Sequence, residues 1–568
     1  MKPSLYCNRA LFGFSLSALI FLSAMNLIAE VRMARLFSDN MVLQCDKEIK
    51  VWGWADPNEN VTVEFAGLTS STTANTDSGR WQVTLSPVEA GGPYELKAQG
   101  SSTVVVKNVL VGEVWVCSGQ SNMNWSLKNC INATQEQSEA DFPEIRYFSI
   151  KQQGAAEPAE DIDSWQAFWT VCSPSAAGDF TGVGYFFARN LYQALDKPIG
   201  LIHSSYGGTP AEAWTSKETL ESDSILAQVF TEWPDYANSE DWLRELYLGH
   251  LDKVEEAKAE GKPEPVFFTA PSVLYNAMIE PMIPYGIRGV IWYQGEANSP
   301  RPQQYQTLFP SMITDWRNNW GIGDFPFLFV QLANYQWGGD NWAELRAAQS
   351  LALNLPFTGM AVAIDVGESY DIHPRNKQDV GLRLALNART LVYGERDLVY
   401  SGPMFKSMSV EGGKCRLSFS HVGDGLVVKG IGGLRTFEIA GDDNQFVQAS
   451  AKIEGEAVEV WSEMVENPLT VRYAWADDPQ GCNLYNMRGQ ETWLPAAPFR
   501  TNQQPPGNLK TNFDFNHDSN LTTTDVGLFL RLVMGNSSKL EFDLNNDGEV
   551  NIVDILSMIM AIRKSTTE

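Results

Sequence analysis

At 568 residues the chain exceeds one ordinary domain, and its 44% hydrophobic and 11% aromatic content is enough for about three or four packed units. A formal net charge of −27 excludes a nucleic-acid partner, whose phosphates need a basic surface, and argues against binding to an anionic membrane surface.

The first 29 residues read as a secretory signal. Lys2 and Arg9 precede an apolar run from Leu11 to Leu22, and Ser23, Ala24 and Ala29 follow, with cleavage expected after Ala29. The alternative is an uncleaved N-terminal anchor. No later segment has the roughly 18 uninterrupted apolar residues of a membrane span, so the mature chain is expected to be exported, soluble and extracellular. Of seven Cys, Cys7 lies in this segment. Cys45, Cys117, Cys130, Cys172, Cys415 and Cys482 remain, an even number that permits disulfides without choosing a pairing. Cys117, on an apolar run, reads as a buried thiol. No CxxC or Cys/His cluster signals zinc.

Residues 30–108 read as a β-sandwich domain. Val61 to Phe65 and Trp81 to Leu85 alternate apolar and polar, separated by turn clusters such as Asp77-Ser78-Gly79. Residues 109–395 alternate strands with helices. Strands are expected at Val114–Cys117, Ile199–Ile202, Gly289–Tyr293, Phe327–Gln331 and Met360–Ile364. Helices are expected at Val183–Leu195, through a long region from about Lys217 to Gly261, and at Gln378–Val392. This pattern implies a mostly parallel α/β sheet with ligands at the carboxyl ends of its strands. Residues 396–500 return to β alternation, as in Lys414–Phe419 and Ala457–Trp461, and read as a second β-sandwich. Residues 501–511 are a linker by composition.

The chemistry concentrates at strand ends. Gly119-Gln120-Ser121-Asn122-Met123 follows the first strand of the α/β region, where a nucleophilic hydroxyl is presented. A base is tightly constrained by a count of five His. His517 sits in a calcium-type loop, His421 in the later β region and His250 among charged helical residues. His203 and His373 remain, both near strand ends. His373 has Asp371, Glu368 and Asp365 close by. Ser121, Asp371 and His373 therefore form the expected triad, with Ser121 attacking, His373 moving the proton and Asp371 holding the imidazole. Asp371 would lie on the same side as His373 in an extended segment. Trp125, Trp214, Trp292, Tyr293 and Trp337 are candidates for stacking on sugar rings or for core packing, and Trp292 reads as core.

These blocks resemble the SGNH-hydrolase superfamily and, within it, the sialate O-acetylesterase-like carbohydrate esterases. Gly112–Met123 is similar to the family's nucleophile block, Ser205–Trp214 to its Gly block, Trp292–Asn298 to its Asn block and Asp371–Pro374 to its base block. Asp39–Gln44, Tyr473–Ala476 and Pro495–Arg500 fit as well, so the resemblance covers about 35–500. It implies a three-layer α/β/α catalytic domain flanked by β-sandwich domains. It also implies an oxyanion hole of the Ser121 N–H, Gly207 or Gly208, and the Asn298 side chain, with no catalytic metal. Gln294 and Glu296 would bind substrate or brace the Asn298 loop, with bracing favoured for Glu296, and Trp214 and Tyr293 would face the sugar. Many such enzymes place Asp three residues before the His rather than two. Asp371, Glu368 and Asp365 thus all stay open as its partner, as does a simple dyad.

The last part, 512–564, repeats an EF-hand-type loop followed by an apolar helix. Oxygen ligands fall at Asp514, Asn516, Asp518, Asn520, Thr522 and Asp525, and again at Asp543, Asn545, Asp547, Glu549, Asn551 and Asp554. Gly548 makes the turn in the second loop, and Ser519 stands there in the first. The unit resembles a type I dockerin, a small all-α module. This implies structural Ca²⁺ and a cohesin-bearing scaffold protein as partner, although Thr523-Thr524 against Ile552-Val553 leaves the partner open. The overall expectation is a secreted enzyme that removes acetyl groups from sugars through an acetyl-serine intermediate. Acetylated plant xylan is the alternative substrate to sialic acid, and a non-catalytic carbohydrate-binding scaffold protein is the alternative class.

Overall fold

A computed structural model describes residues 30–502, apart from 164–166, 240 and 340. The expected signal segment and the calcium-type repeat lie outside the described residues. Among the described residues no helix is long and apolar enough to cross a membrane.

The seven strands that carry the site are, in chain order, β1 (Thr103–Gly119), β2 (Ile145–Ser149), β3 (Trp169–Val171), β4 (Ile199–Ser205), β5 (Gly289–Tyr293), β6 (Phe327–Gln331) and β7 (Thr358–Val362). They run side by side in the order β3-β2-β4-β1-β5-β6-β7. Every pairing is parallel except that of β3 with β2. Strands β4, β5, β6 and β7 are buried along their whole length, as expected of parallel strands covered on both faces. That burial explains why they read as unbroken apolar runs rather than alternating ones.

The helices that matter here are α1 (Ser121–Asn124), α2 (Gly182–Leu195), α3 (Asp241–Glu260), α4 (Pro302–Trp320), α5 (Trp342–Ser350) and α6 (Lys377–Leu391). Helix α2 packs on α6 and α4 on α5. The expected continuous helical stretch from 217 to 261 is broken into separate helices, Lys217–Ser222, Val229–Ala237 and α3.

Strand β1 also leaves the parallel sheet. Its first half pairs antiparallel with Gly91–Gln99, which pairs in turn with Asn60–Phe65. A smaller antiparallel sheet joins Arg32–Met33, Ile49–Trp54 and Arg80–Leu85. The alternation expected of Asn60–Phe65 and Arg80–Leu85 is seen as every second residue buried. The expected boundary at 108/109 therefore falls inside one continuous strand.

Beyond residue 403 three antiparallel sheets surround a core of their own, which includes Leu417, Phe437, Val458 and Tyr473. Among the contacts that fasten this unit to the α/β sheet, two are central. The fully buried Arg346 guanidinium donates to the carbonyls of Leu332 and Ala333 on one side and of Ala476 and Asp477 on the other. Tyr485 donates to Asp365, at 2.9 Å, in the loop after β7. The six Cys from Cys45 onward are all free thiols, and five of them, Cys117 included, are buried.

Candidate active site

Register brings the sequence blocks together. Gly119, the last residue of β1, lies opposite Ser205 on β4 and Tyr293 on β5. The three loops that follow, at 120–121, 206–208 and 294–298, therefore leave the sheet at one edge. Gly119 has φ 130°, and a Cβ there would lie 2.2 Å from the Tyr293 carbonyl oxygen, so only glycine allows the turn that delivers Ser121. The loop after β7 brings His373 from the other side. Its Nε2 lies 2.8 Å from Ser121 Oγ.

Both residues line a cavity of about 740 Å³, whose wall also includes Gln120, Gly207, Gly208 and Glu296. Gly207 lies against the hydroxyl-bearing residue, since a Cβ on it would stand 3.3 Å from Ser121 Cβ. Gly208 has φ 71°, and a Cβ there would lie 2.6 Å from the Trp242 ring. Trp242, on α3, thus folds down over this glycine turn.

The His373 ring is held on several sides. Trp125 stacks on it with centroids 5.3 Å apart at 12°. Asp371 Oδ1 accepts the His373 backbone N–H at 2.8 Å and stands 3.7 Å from Nδ1. That is a charge contact rather than a hydrogen bond to the ring. The two other carboxylates are engaged elsewhere. Asp365 forms an ion pair with Arg383 and accepts from Tyr485, and Glu368 pairs with Arg375. Burial first, and then the Lys377 charge, lower the His373 pKa below the ordinary value, while Asp371 pulls it up.

Since a base must be neutral to accept a proton, activity should hold to lower pH than an ordinary His would allow, and fail only as pH falls through that lowered pKa. Asp371→Asn is expected to move this acid limb lower still. The loss in kcat should be only about 10-fold, because the carboxylate is half exposed and makes no ring hydrogen bond. A pH profile of kcat/KM for both proteins checks this.

Several expected site residues stand behind the wall. Asn298 is buried, and its Oδ1 accepts from the Ala211 N–H at 2.9 Å and from Gln294 Nε2 at 2.7 Å. Its Nδ2 donates to Glu212 at 2.9 Å. Asn298 and Gln294 therefore brace the Gly block against the loop after β5, one of the two roles expected of Gln294. Trp214, Trp292 and Tyr293 are fully buried; Trp214 and Trp292 pack on each other. Trp214 and Tyr293 thus belong to the core rather than to a sugar face. Glu296 both stands on the cavity wall and accepts from Asn122, so both roles expected of it stay open.

The sequence reading missed Asn122 and Lys377. Asn122 Nδ2 donates to Glu296 Oε1 at 2.6 Å and to the Ile372 carbonyl at 2.9 Å. Its Oδ1 accepts from Lys377 Nζ at 2.5 Å. Lys377 is completely buried, and this lowers its pKa to about 7. One amide thus joins the Ser121 turn, the His373 loop, the Glu296 loop and helix α6. The only sequence hint is that Asn122 directly follows Ser121. His203 is a separate matter. It bonds Tyr147 at 2.7 Å and Ser205 at 2.6 Å, is buried with its pKa lowered to about 4, and stays neutral in the core.

One group among the described residues has the side chains to hold a metal ion. Cys45, Asp46 and Glu113 come together, but Arg288 already holds Glu113 with two hydrogen bonds.

A family model described as carbohydrate esterase, sialic acid-specific acetylesterase, matches residues 111–232 and 261–389. The crystal structure of a carbohydrate acetylesterase from Xanthomonas citri is similar to this chain with a TM-score of 0.72 and 38% identity, covering 84% of this chain and 100% of that one. Fold and family model together place the protein in the class of carbohydrate esterases. Sialate O-acetylesterase from Mus musculus is 32% identical over 521 residues, covering 82% of this chain and 94% of that protein. The Homo sapiens protein of the same name is 30% identical over 514 residues, covering 82% and 92%. The chain belongs to the sialate O-acetylesterase family.

Proposed function

We propose that this protein is a carbohydrate O-acetylesterase that works through an acetyl-serine intermediate. The observation that carries the reading is the 2.8 Å contact between Ser121 Oγ and His373 Nε2 on the wall of an open cavity. In the first step Ser121 Oγ attacks the acetyl carbonyl carbon while His373 Nε2 takes its proton. The N–H groups of Ser121 and Gly207 are the proposed oxyanion donors, each worth about 10²–10³ in rate if it acts like other such donors. Collapse expels the sugar oxygen, which takes the proton from His373. Water then attacks the acetyl-Ser121 ester with His373 again as base, giving acetate and free Ser121.

Asp371 is the proposed partner of His373, acting by charge. The calcium-type repeat at 512–564 and the signal-like segment at 1–29 extend the proposal to an exported enzyme tethered by a Ca²⁺-stabilised, dockerin-like module. A cohesin-bearing scaffold is the partner that the resemblance suggests.

The experiment is acetate release from a chromogenic acetate ester, followed by inactivation with a fluorophosphonate and peptide mass mapping. The expected result is turnover and a single adduct on the peptide holding Ser121. Turnover with the adduct on another residue would overturn the site, and no turnover at all would leave a carbohydrate-binding protein as the better reading.

A further inference from the structure

Resting on the esterase reading, we propose that this site takes an uncharged O-acetylated glycan chain, with the sugar next to the acetylated one lying on an aromatic platform formed by Trp337 and Tyr370. Two independent observations point there.

The first is the charge of the cavity. Among its described wall residues there is no Lys or Arg, and the one acidic side chain is Glu296. Glu296 Oε2 is buried without a hydrogen-bond partner. A substrate carboxylate is normally met by a guanidinium or ammonium, most specifically by a two-pronged Arg. The cations that flank the wall in sequence are engaged: Arg244 pairs with Asp241 at 2.7 Å, and Arg346 is spent on backbone carbonyls. Arg301 pairs with the buried Glu212 at 2.5 Å, and Arg375 pairs with Glu368 at 3.0 Å. Lys377 reaches the wall only through Asn122. A sugar acid entering here would lose its hydration and gain no counter-charge, whereas a neutral sugar has hydroxyls to offer.

The second observation is the rim. Trp337 lines the cavity and is 64% exposed. Tyr370, three residues before His373, is 69% exposed, and its ring centroid lies 5.5 Å from that of Trp337. Trp242, 49% exposed, stands on the wall near Gly208. Large rings clustered in water at the mouth of a site mark a binding surface. The negative face of an aromatic ring suits the C–H face of a sugar, which needs no charge. Trp337 belongs to the wall and Tyr370, tilted 55° to it, does not, so the pair reaches from the cavity to the surface beside it, which suits a chain of sugars better than a single small one.

The test compares kcat/KM for acetate release from four probes: a chromogenic acetate, acetylated xylo-oligosaccharides, O-acetylated N-acetylneuraminic acid, and the carboxamide of that acid. The expected result is a preference of about 10-fold or more for the oligosaccharide over the acid, with the carboxamide also faster than the acid. Trp337→Ala is expected to raise KM for the oligosaccharide about 10-fold more than for the chromogenic acetate. Preference for the free acid, equal rates for acid and carboxamide, or an oligosaccharide KM untouched by Trp337→Ala would each overturn the inference while the esterase reading stands. Failure to turn over even the chromogenic acetate would defeat both.

Discussion

Ser121→Ala is expected to lower kcat for acetate esters by about 10⁴-fold or more, with the fold intact. The Ser121 side chain contributes one hydrogen bond, to His373, and sits half-buried at the cavity wall, so the melting temperature should scarcely move. His373→Ala should cost a similar factor. The double variant should be no worse than either single one, because residues that act as one unit are not additive. Kinetics on the three proteins, with circular dichroism melts alongside, decide the matter. Full turnover by Ser121→Ala would shift attention to the other Ser–His pair, Ser205 and His203. That pair has the hydrogen bond but lies in the core, where no ester reaches it.

The second large effect is expected at Asn122. Its amide satisfies three buried groups at once, namely the Lys377 ammonium, a Glu296 carboxylate oxygen and the Ile372 carbonyl. Asn122→Ala removes all three contacts and leaves the buried Lys377 amine without its acceptor. Leaving a buried polar group unsatisfied costs about 1–3 kcal/mol, and urea unfolding should show a loss of that order. Activity should fall as well, by about 10²-fold, because the Ile372 carbonyl is the tether that sets the position of His373 beside Ser121. Asn122→Asp is not expected to rescue. It keeps an acceptor for Lys377 but sets a second carboxylate against Glu296, whose pKa burial has already raised. Unchanged stability in Asn122→Ala would mean that the bridge carries no net energy.

The parallel strands were legible because burial on both faces leaves an uninterrupted apolar run, and β5 and β6 fall on the residues expected. Strand β7 begins two residues earlier than expected, at Thr358 rather than Met360, because a polar Thr hides the start of a buried strand. Strand β2 and helices α4 and α5 escaped notice. Helix α4 opens with Pro302 and has Pro310 inside it, which reads as loop. At the site, Ser121 and His373 were readable because glycine turns and a scarcity of His narrow the choice. Lys377 was not. A lysine in a polar stretch reads as surface, and only the fold shows that Asn122, Glu296 and Ile372 converge to hold it. The residues around Asn298 carried the family's pattern, but pattern alone does not tell a side chain on the cavity wall from one that braces it.

Strand β1 has a consequence for how such chains can be recombined. It is a single girder whose first half belongs to the N-terminal sheets and whose last residue stands two positions before Ser121. Any splice between 103 and 119 has to keep the register of this one strand. A one-residue slip anywhere along it would turn every later side chain to the opposite face and move Ser121 by about 3.3 Å. Chimaeras that cross over before 103 or after the glycine turn should keep the hydroxyl at its height. Those that cut through the girder with a gained or lost residue should lose it, even when both parents fold well.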